Sequence, residues 1–175
     1  MKYTLEDYEK LPEGSPYQLI EGKLIMSPAP APSHQRVSIR LAVKLFNYVR
    51  EKAKGEVLYS PIDVYLDEEN AYQPDIVVIL QGSRARITEK GIEGPPDIVV
   101  EILSPSTAYY DLTVKKDVYE KTGVKEYWLL DPLRKTFEIY ANSQEGFKII
   151  SKAKEEGMVS SELLGLKLDL KQVFE

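Results

Sequence analysis

The sequence predicts an α/β (α+β) domain: a mixed central sheet flanked by helices, with additional β-hairpins. Three observations predict it. Runs of Ile and Val bounded by Pro and Gly, at 74–78 and 97–103, have the pattern of short strands covered on both faces. Between Ser33 and Gly55, the apolar residues Val37, Leu41, Leu45 and Val49 recur at helical spacing, while Arg40, Lys44, Arg50 and Glu51 fall elsewhere around the axis. The two kinds of element follow one another as α–ββ–α–β–β–β–α–β–β–β, an order that builds a mixed sheet with helices on its faces. At 175 residues the chain has the length of one domain, 1–175, with enough residues to bury a sizeable core.

Taken in order, Thr4-Leu5-Glu6-Asp7 reads as a helix start with Thr4 as N-cap, and the segment from Pro12 to Pro16 stops it. Apolar-rich runs at Tyr17–Ile20 and Lys23–Met26 flank Glu21-Gly22, which makes a hairpin with Glu21 at the turn. Alternating prolines from Pro28 to Pro32 exclude helix and central strand and deliver the chain to the longest helix, with Ser33 as its expected N-cap and Gly55 as its stop. Strand patterns follow at Val57–Tyr59 and Ile62–Leu66, and a turn at 67–70 leads to the strand after Pro74-Asp75. The polar stretch from Gly82 to Pro96 predicts a short helix in a long connection. After the strand carrying Glu101, Ser104–Thr107 opens a helix expected to run from Ala108 to Lys121, with Gly123 as its C′ residue. Val124–Leu130 and Thr136–Tyr140 form a hairpin, Phe147–Ile150 adds an edge strand, and the Leu-rich tail docks on the core.

Composition narrows the chemistry. With no cysteine there is neither a disulfide framework nor a thiolate ligand, and a lone histidine, His34, excludes a multi-histidine zinc site within one chain. No apolar run is long enough to span a bilayer and the first residues lack a signal-peptide core, so no membrane association is expected and the expected compartment is cytoplasmic. A net charge of −5 argues against a broadly adhesive nucleic-acid binder, yet it is compatible with a local basic groove or a metal-dependent nuclease.

Asp75 and Glu101 stand in or beside the two covered strands. A charged carboxylate among such runs costs several kcal/mol unless a cation or hydrogen-bond donors compensate. Two carboxylates converging from adjacent strands make a hard-oxygen site suited to Mg²⁺ or Mn²⁺, and an ammonium nearby, such as that of Lys115, could orient water or stabilise charge on phosphate oxygens. That is the equipment of phosphodiester hydrolysis.

At these residues the chain resembles the PD-(D/E)xK restriction-endonuclease-like nucleases and, within them, the Uma-two-like endonuclease family. The resemblance runs from Tyr17-Gln18-Leu19-Ile20-Glu21-Gly22 through Ser33-His34-Gln35, Gln73-Pro74-Asp75 and Val100-Glu101-Ile102-Leu103-Ser104-Pro105-Ser106 to Val124–Pro132. It implies a restriction-endonuclease-like fold, a Mg²⁺-dependent cut in DNA (Mn²⁺ as an alternative), and a homodimer. Asp75 and Glu101 would be metal ligands, with the backbone carbonyl of Ile102 as a third. The superfamily's lysine usually lies two residues after the Glu, where this chain has Leu103. The Uma-two-like pattern instead frames a lysine on the following helix, matching Asp111, Lys115 and Tyr119, so the catalytic lysine is carried to Lys115, with Lys116 as the alternative. Where the family tends to place an acid this chain has Gln18, and Glu21 is the nearest substitute.

Each residue also has a plainer reading. Asp75 could simply initiate a strand, and Glu101 could pair with a base structurally. Lys115 could form an exposed i,i+4 ion pair with Asp111. His34 fits a capping or packing role and, if the long helix starts beside the site, a phosphate contact. The chain is therefore read as a metal-dependent endonuclease, against the alternatives of a catalytically inactive DNA- or protein-interaction module of the same fold and of metal-dependent chemistry on another phosphorylated substrate.

Overall fold

A computed structural model describes residues 1–175. The chain opens with α1 (Leu5–Glu9), where the Thr4 side chain accepts from Asp7 N and the Asp7 carboxylate accepts from Thr4 N. The hairpin of β1 (Tyr17–Ile20) and β2 (Lys23–Met26) turns at Glu21 and Gly22, both in the left-handed region. Next comes α2 (Pro32–Lys52). It is capped at Ala31 and not at Ser33, because Pro32 takes the first helical position, where its missing N–H is no loss. Gly55, expected as the helix stop, instead opens β3 (Gly55–Tyr59), where a Cβ would stand 2.4 Å from the Ile79 carbonyl oxygen. A second hairpin, β4 (Val64–Asp67) and β5 (Asn70–Tyr72), leads to β6 (Ile76–Leu80).

Between 82 and 96 the expected short helix is absent. Two short strands, β7 (Arg86–Ile87) and β8 (Ile92–Glu93), form a hairpin instead, and β8 pairs in parallel with β4. Polar local sequence is decided here by an edge offered from elsewhere in the chain. After β9 (Ile98–Ile102), the single helix expected over 108–121 is divided at Thr113 (φ −126°, ψ −90°) into α3 (Ala108–Leu112) and α4 (Val114–Thr122), with the Thr113 hydroxyl donating to the Tyr109 carbonyl. Gly123 ends α4 at φ 100°, as its sequence position predicts. The meander β10 (Glu126–Asp131), β11 (Thr136–Ser143) and β12 (Gly146–Lys154) follows, and the tail forms the hairpin β13 (Met158–Ser161), β14 (Leu166–Asp169) and the short α5 (Leu170–Phe174).

The central sheet has the order β12-β11-β10-β9-β6-β3, and a second six-stranded sheet runs β2-β1-β5-β4-β8-β7. In the central sheet β9 and β10 are parallel, joined by the α3–α4 crossover, and the other pairs are antiparallel. One face packs Ile76, Val78, Ile98, Val100, Trp128 and Leu130 against Val37, Leu41, Leu45 and Val49 of α2. The other packs Val77, Val99, Tyr127 and Leu129 against Tyr119 of α4 and Ile20, Val64 and Tyr72 of the second sheet. Both faces of β6 and β9 are therefore covered, which is why their sequences are apolar at consecutive positions. No helix is long and apolar enough to cross a membrane.

Register positions the site. Ile76 pairs with Val100 and Val77 with Val99, so one further step sets Asp75 opposite Glu101 at the end of the two central strands. The Glu101 side chain points to the face of Val99 and α4, while Asp75, just outside β6, turns to the Ile102 backbone and to His34 of α2 at the strand end.

Candidate active site

Asp75 precedes β6 and is pinned through its backbone: its N–H donates to the Val100 carbonyl (3.2 Å) and its carbonyl accepts from Ser60 N (2.9 Å). Its carboxylate Oδ2 accepts from Ile102 N at 2.7 Å, and Oδ1 lies 3.2 Å from His34 Nε2. His34 is buried on the first turn of α2, and its Nδ1 makes no hydrogen bond. Burial alone would lower the imidazole pKa, but the hydrogen bond and charge of Asp75, with the Ile102 carbonyl beside the ring, leave it above its ordinary value. His34 thus supplies no cap; it is the partner of Asp75.

Glu101 sits near the C-terminal end of β9, 3% exposed. Its Oε1 accepts from the Tyr119 hydroxyl (2.7 Å) and pairs with the Lys115 ammonium, which also lies 2.9 Å from Asp111 Oδ1. Asp111 is itself fixed by the Thr107 hydroxyl at Oδ2 (3.2 Å), while the Tyr127 hydroxyl holds its backbone carbonyl (2.7 Å). Lys115 is 2% exposed, so the i,i+4 pair with Asp111 exists but is buried, unlike the exposed pair that the spacing alone suggests. Two carboxylates around one ammonium leave an excess negative charge. Burial pushes the Glu101 carboxyl up to about 8, opposed by Lys115 and reinforced by Asp111 and Asp75. For Lys115, burial would lower the pKa, but the two carboxylates outweigh it and raise it, so the amine stays an ammonium at neutral pH. Burial first, then the charge of Glu101, raises the Tyr119 phenol, which keeps it a hydrogen donor.

Asp75 and Glu101 are the carboxyl groups that would hold a cation if one bound here. No group of three or more His, Asp and Glu side chains gathers into a cage, and Glu101 Oε2 is engaged by no protein donor. Two carboxylates with a free oxygen fit an ion that keeps several waters, as Mg²⁺ does, and do not fit one that demands a full set of protein ligands.

A family model described as "Putative restriction endonuclease" (Uma2) matches residues 5–171. The chain belongs to the Uma2 family. Among solved structures, it is similar to a crystal structure from Anabaena variabilis ATCC 29413 described as "a putative nuclease belonging to DUF820", at 27% identity and a TM-score of 0.80, with 98% of this chain and 97% of that one covered. No curated protein matches the chain significantly.

In this Uma2 chain the structure brings Asp75, Glu101, Lys115 and His34 together with the Ile102 backbone, and it leaves two further candidates outside. Glu21 is exposed on its hairpin turn, its N–H tied to Asn70 Oδ1, and it makes no hydrogen bond or ion pair with Asp75, Glu101 or Lys115. Lys116 turns away from the carboxylates and sets its ammonium 3.9 Å from the centre of the Tyr140 ring. Gln18, at the position where the family tends to carry an acid, is buried and structural: its Oε1 accepts from Gln73 N (2.8 Å) and its Nε2 donates to Ser27 Oγ (2.7 Å), fixing the approach to Pro74-Asp75. The residues that sequence reasoning undervalued are Asp111 and Tyr119, used there only to frame the lysine. Their spacing from Lys115, four residues on either side, already placed all three along one helical stripe.

Proposed function

We propose that this Uma2 protein is a Mg²⁺-dependent endodeoxyribonuclease of the PD-(D/E)xK type. The observation that carries the reading is Asp75, held on Val100 and Ile102 at the end of the β6–β9 ladder, close enough to Glu101 to raise its pKa, with Lys115 paired to the Glu101 carboxyl group. Asp75 and Glu101 would hold Mg²⁺, or Mn²⁺, with the Ile102 carbonyl as a further donor; bound there, the ion supplies positive charge to a phosphodiester. Asp75 is oriented for this by Ile102 N–H and His34. Because Lys115 stays protonated, it serves as a donor that positions water and stabilises phosphate oxygens, and it does not abstract a proton. Asp111 keeps that ammonium in place. In the reaction, water oxygen bonds to phosphorus and gives up one proton to solvent, the bond from phosphorus to the leaving sugar oxygen breaks, and the leaving oxygen takes up a proton from solvent, so that no net proton is gained or lost. A homodimer follows as part of the proposal, since two symmetry-related sites are the simplest way to cut both strands of a duplex.

A second reading has one observation in its favour. Glu101 is already paired with Lys115 and Tyr119, as a structural carboxylate would be, which suits an inactive DNA- or protein-interaction module of the same fold. Incubation of supercoiled plasmid with Mg²⁺ or Mn²⁺ separates the two, with Asp75→Ala and Glu101→Gln beside wild type. Nicking or linearisation that disappears in both variants is expected. No cleavage by wild type, together with no rise in melting temperature on adding either ion, would favour the inactive module.

A further inference from the structure

A second feature opens at the same end of the central sheet. A groove of about 490 Å³ lies between the first turns of α2 and the end of β3, lined by Gln35, Arg36, Ser38, Ile39, Tyr59 and Ser60 among others, with no acidic side chain. Its lining adjoins the residues that hold Asp75. Ser60 N donates to the Asp75 carbonyl, Tyr59 pairs with Ile76 across β3 and β6, and Gln35 follows His34, whose ring contacts Asp75.

Charge and exposure indicate what the groove would accept. The whole chain has a net charge of −5, yet α2 carries Arg36, Arg40, Lys44, Arg50 and Lys52 against the single acid Glu51. Arg36 is exposed and makes no ion pair within the protein, and Tyr59 is 66% exposed on an edge strand. A free guanidinium matches phosphate oxygens with its planar fork, and an exposed aromatic ring offers a face on which any base can stack. An acid-free lining removes the repulsion that an anionic backbone would meet over most of this surface.

We propose that this groove is a nucleic-acid subsite that holds the DNA strand adjoining the cleaved bond, a phosphate on Arg36 and a base against Tyr59. It rests on the nucleolytic reading above and extends it to a substrate path: the strand runs from the Asp75–Glu101 pair across Ser60 to α2.

The test is fluorescence anisotropy of a labelled oligothymidylate titrated with the full chain in EDTA over a series of NaCl concentrations, with thermal melts to establish that each variant folds. Arg36→Gln should weaken binding and make the slope of log affinity against log salt shallower by about 0.7, while Arg36→Lys keeps the slope. Tyr59→Ala should weaken binding about tenfold or more with the slope unchanged. Lys148→Gln, on β12 at the opposite edge of the central sheet, should change neither. Unaltered affinity and slope in Arg36→Gln and Tyr59→Ala would overturn the groove assignment and leave the carboxylate site standing, as would a wild type that cleaves plasmid but does not bind the oligonucleotide. A wild type that neither binds at low salt nor cleaves with Mg²⁺ would overturn both readings. Sedimentation showing that Tyr59→Ala splits a dimer, with DNA affinity unchanged, would reassign the groove to a contact between two copies of the chain.

Discussion

Two glutamates lie buried on neighbouring strands of the same sheet, and they are held in opposite ways. Glu126, on β10, is saturated by neutral donors: Oε2 accepts from Trp128 Nε1 and the Ser161 hydroxyl, and Oε1 from Leu163 N, each at 2.8 Å. Glu101, on β9, has an ammonium and a phenol crowded onto Oε1, no donor at Oε2, and the carboxylates of Asp111 and Asp75 near enough to raise its pKa. A carboxylate that serves the fold fills its acceptor capacity from donors around it. One that keeps an oxygen free beside like charges is costly to the fold and suited to receive a cation.

The greatest loss is expected at Lys115, because it is the cation between Glu101 and Asp111. Its replacement by Ala takes the only paired cation from the buried Asp111 and Glu101 carboxyl groups, and a loss of about 3–5 kcal/mol is expected in urea unfolding, together with loss of cleavage. Glu126→Ala should come next. It leaves three buried donors without an acceptor, at a cost of about 3 kcal/mol, while the protein that remains folded still cleaves plasmid. Glu101→Gln should do the reverse: cleavage falls by about 10²-fold or more, yet the melting temperature at neutral pH holds or rises, because the amide reproduces the protonated carboxyl and leaves Lys115 balanced by Asp111. If instead Glu101→Gln unfolds the protein and Glu126→Ala does not, the two glutamates have been assigned the wrong way round.

A pH series sharpens the contrast. Glu101 is raised in the folded state from 4.5 to about 8, so between those values the native protein holds a proton that the unfolded chain has released. Its contribution to stability is present in full below about 4.5 and is lost as pH rises through about 8. In EDTA, wild type should therefore lose stability with rising pH relative to Glu101→Gln. With Mg²⁺ present the trend should be offset, because metal binding needs the ionised carboxylate and its affinity grows over the same range. Equal pH slopes for wild type and Glu101→Gln would remove Glu101 as the titrating group. The smallest effect belongs to Lys116→Ala, which gives up a contact with the Tyr140 ring, costs about 0.5–1 kcal/mol, and should leave cleavage unchanged.

The residue pattern alone marks where the central strands lie and which acids stand on or beside them. Apolar residues at consecutive positions in β6 and β9 can be stable only when both faces are covered; Asp75 stands just before the first run and Glu101 interrupts the second. It also set the spacing of Asp111, Lys115 and Tyr119. Long-range packing brought Asp75 to the Ile102 end of β9 near Glu101, turned Lys115 and not Lys116 to Glu101, and buried the Asp111 pair. It likewise turned the polar stretch at 82–96 into a hairpin on the edge of β4 and divided the expected helix at Thr113. Local spacing fixes which residues share a face. What covers that face, and so whether a charge on it is solvated or confined with its neighbours, depends on segments distant in the chain.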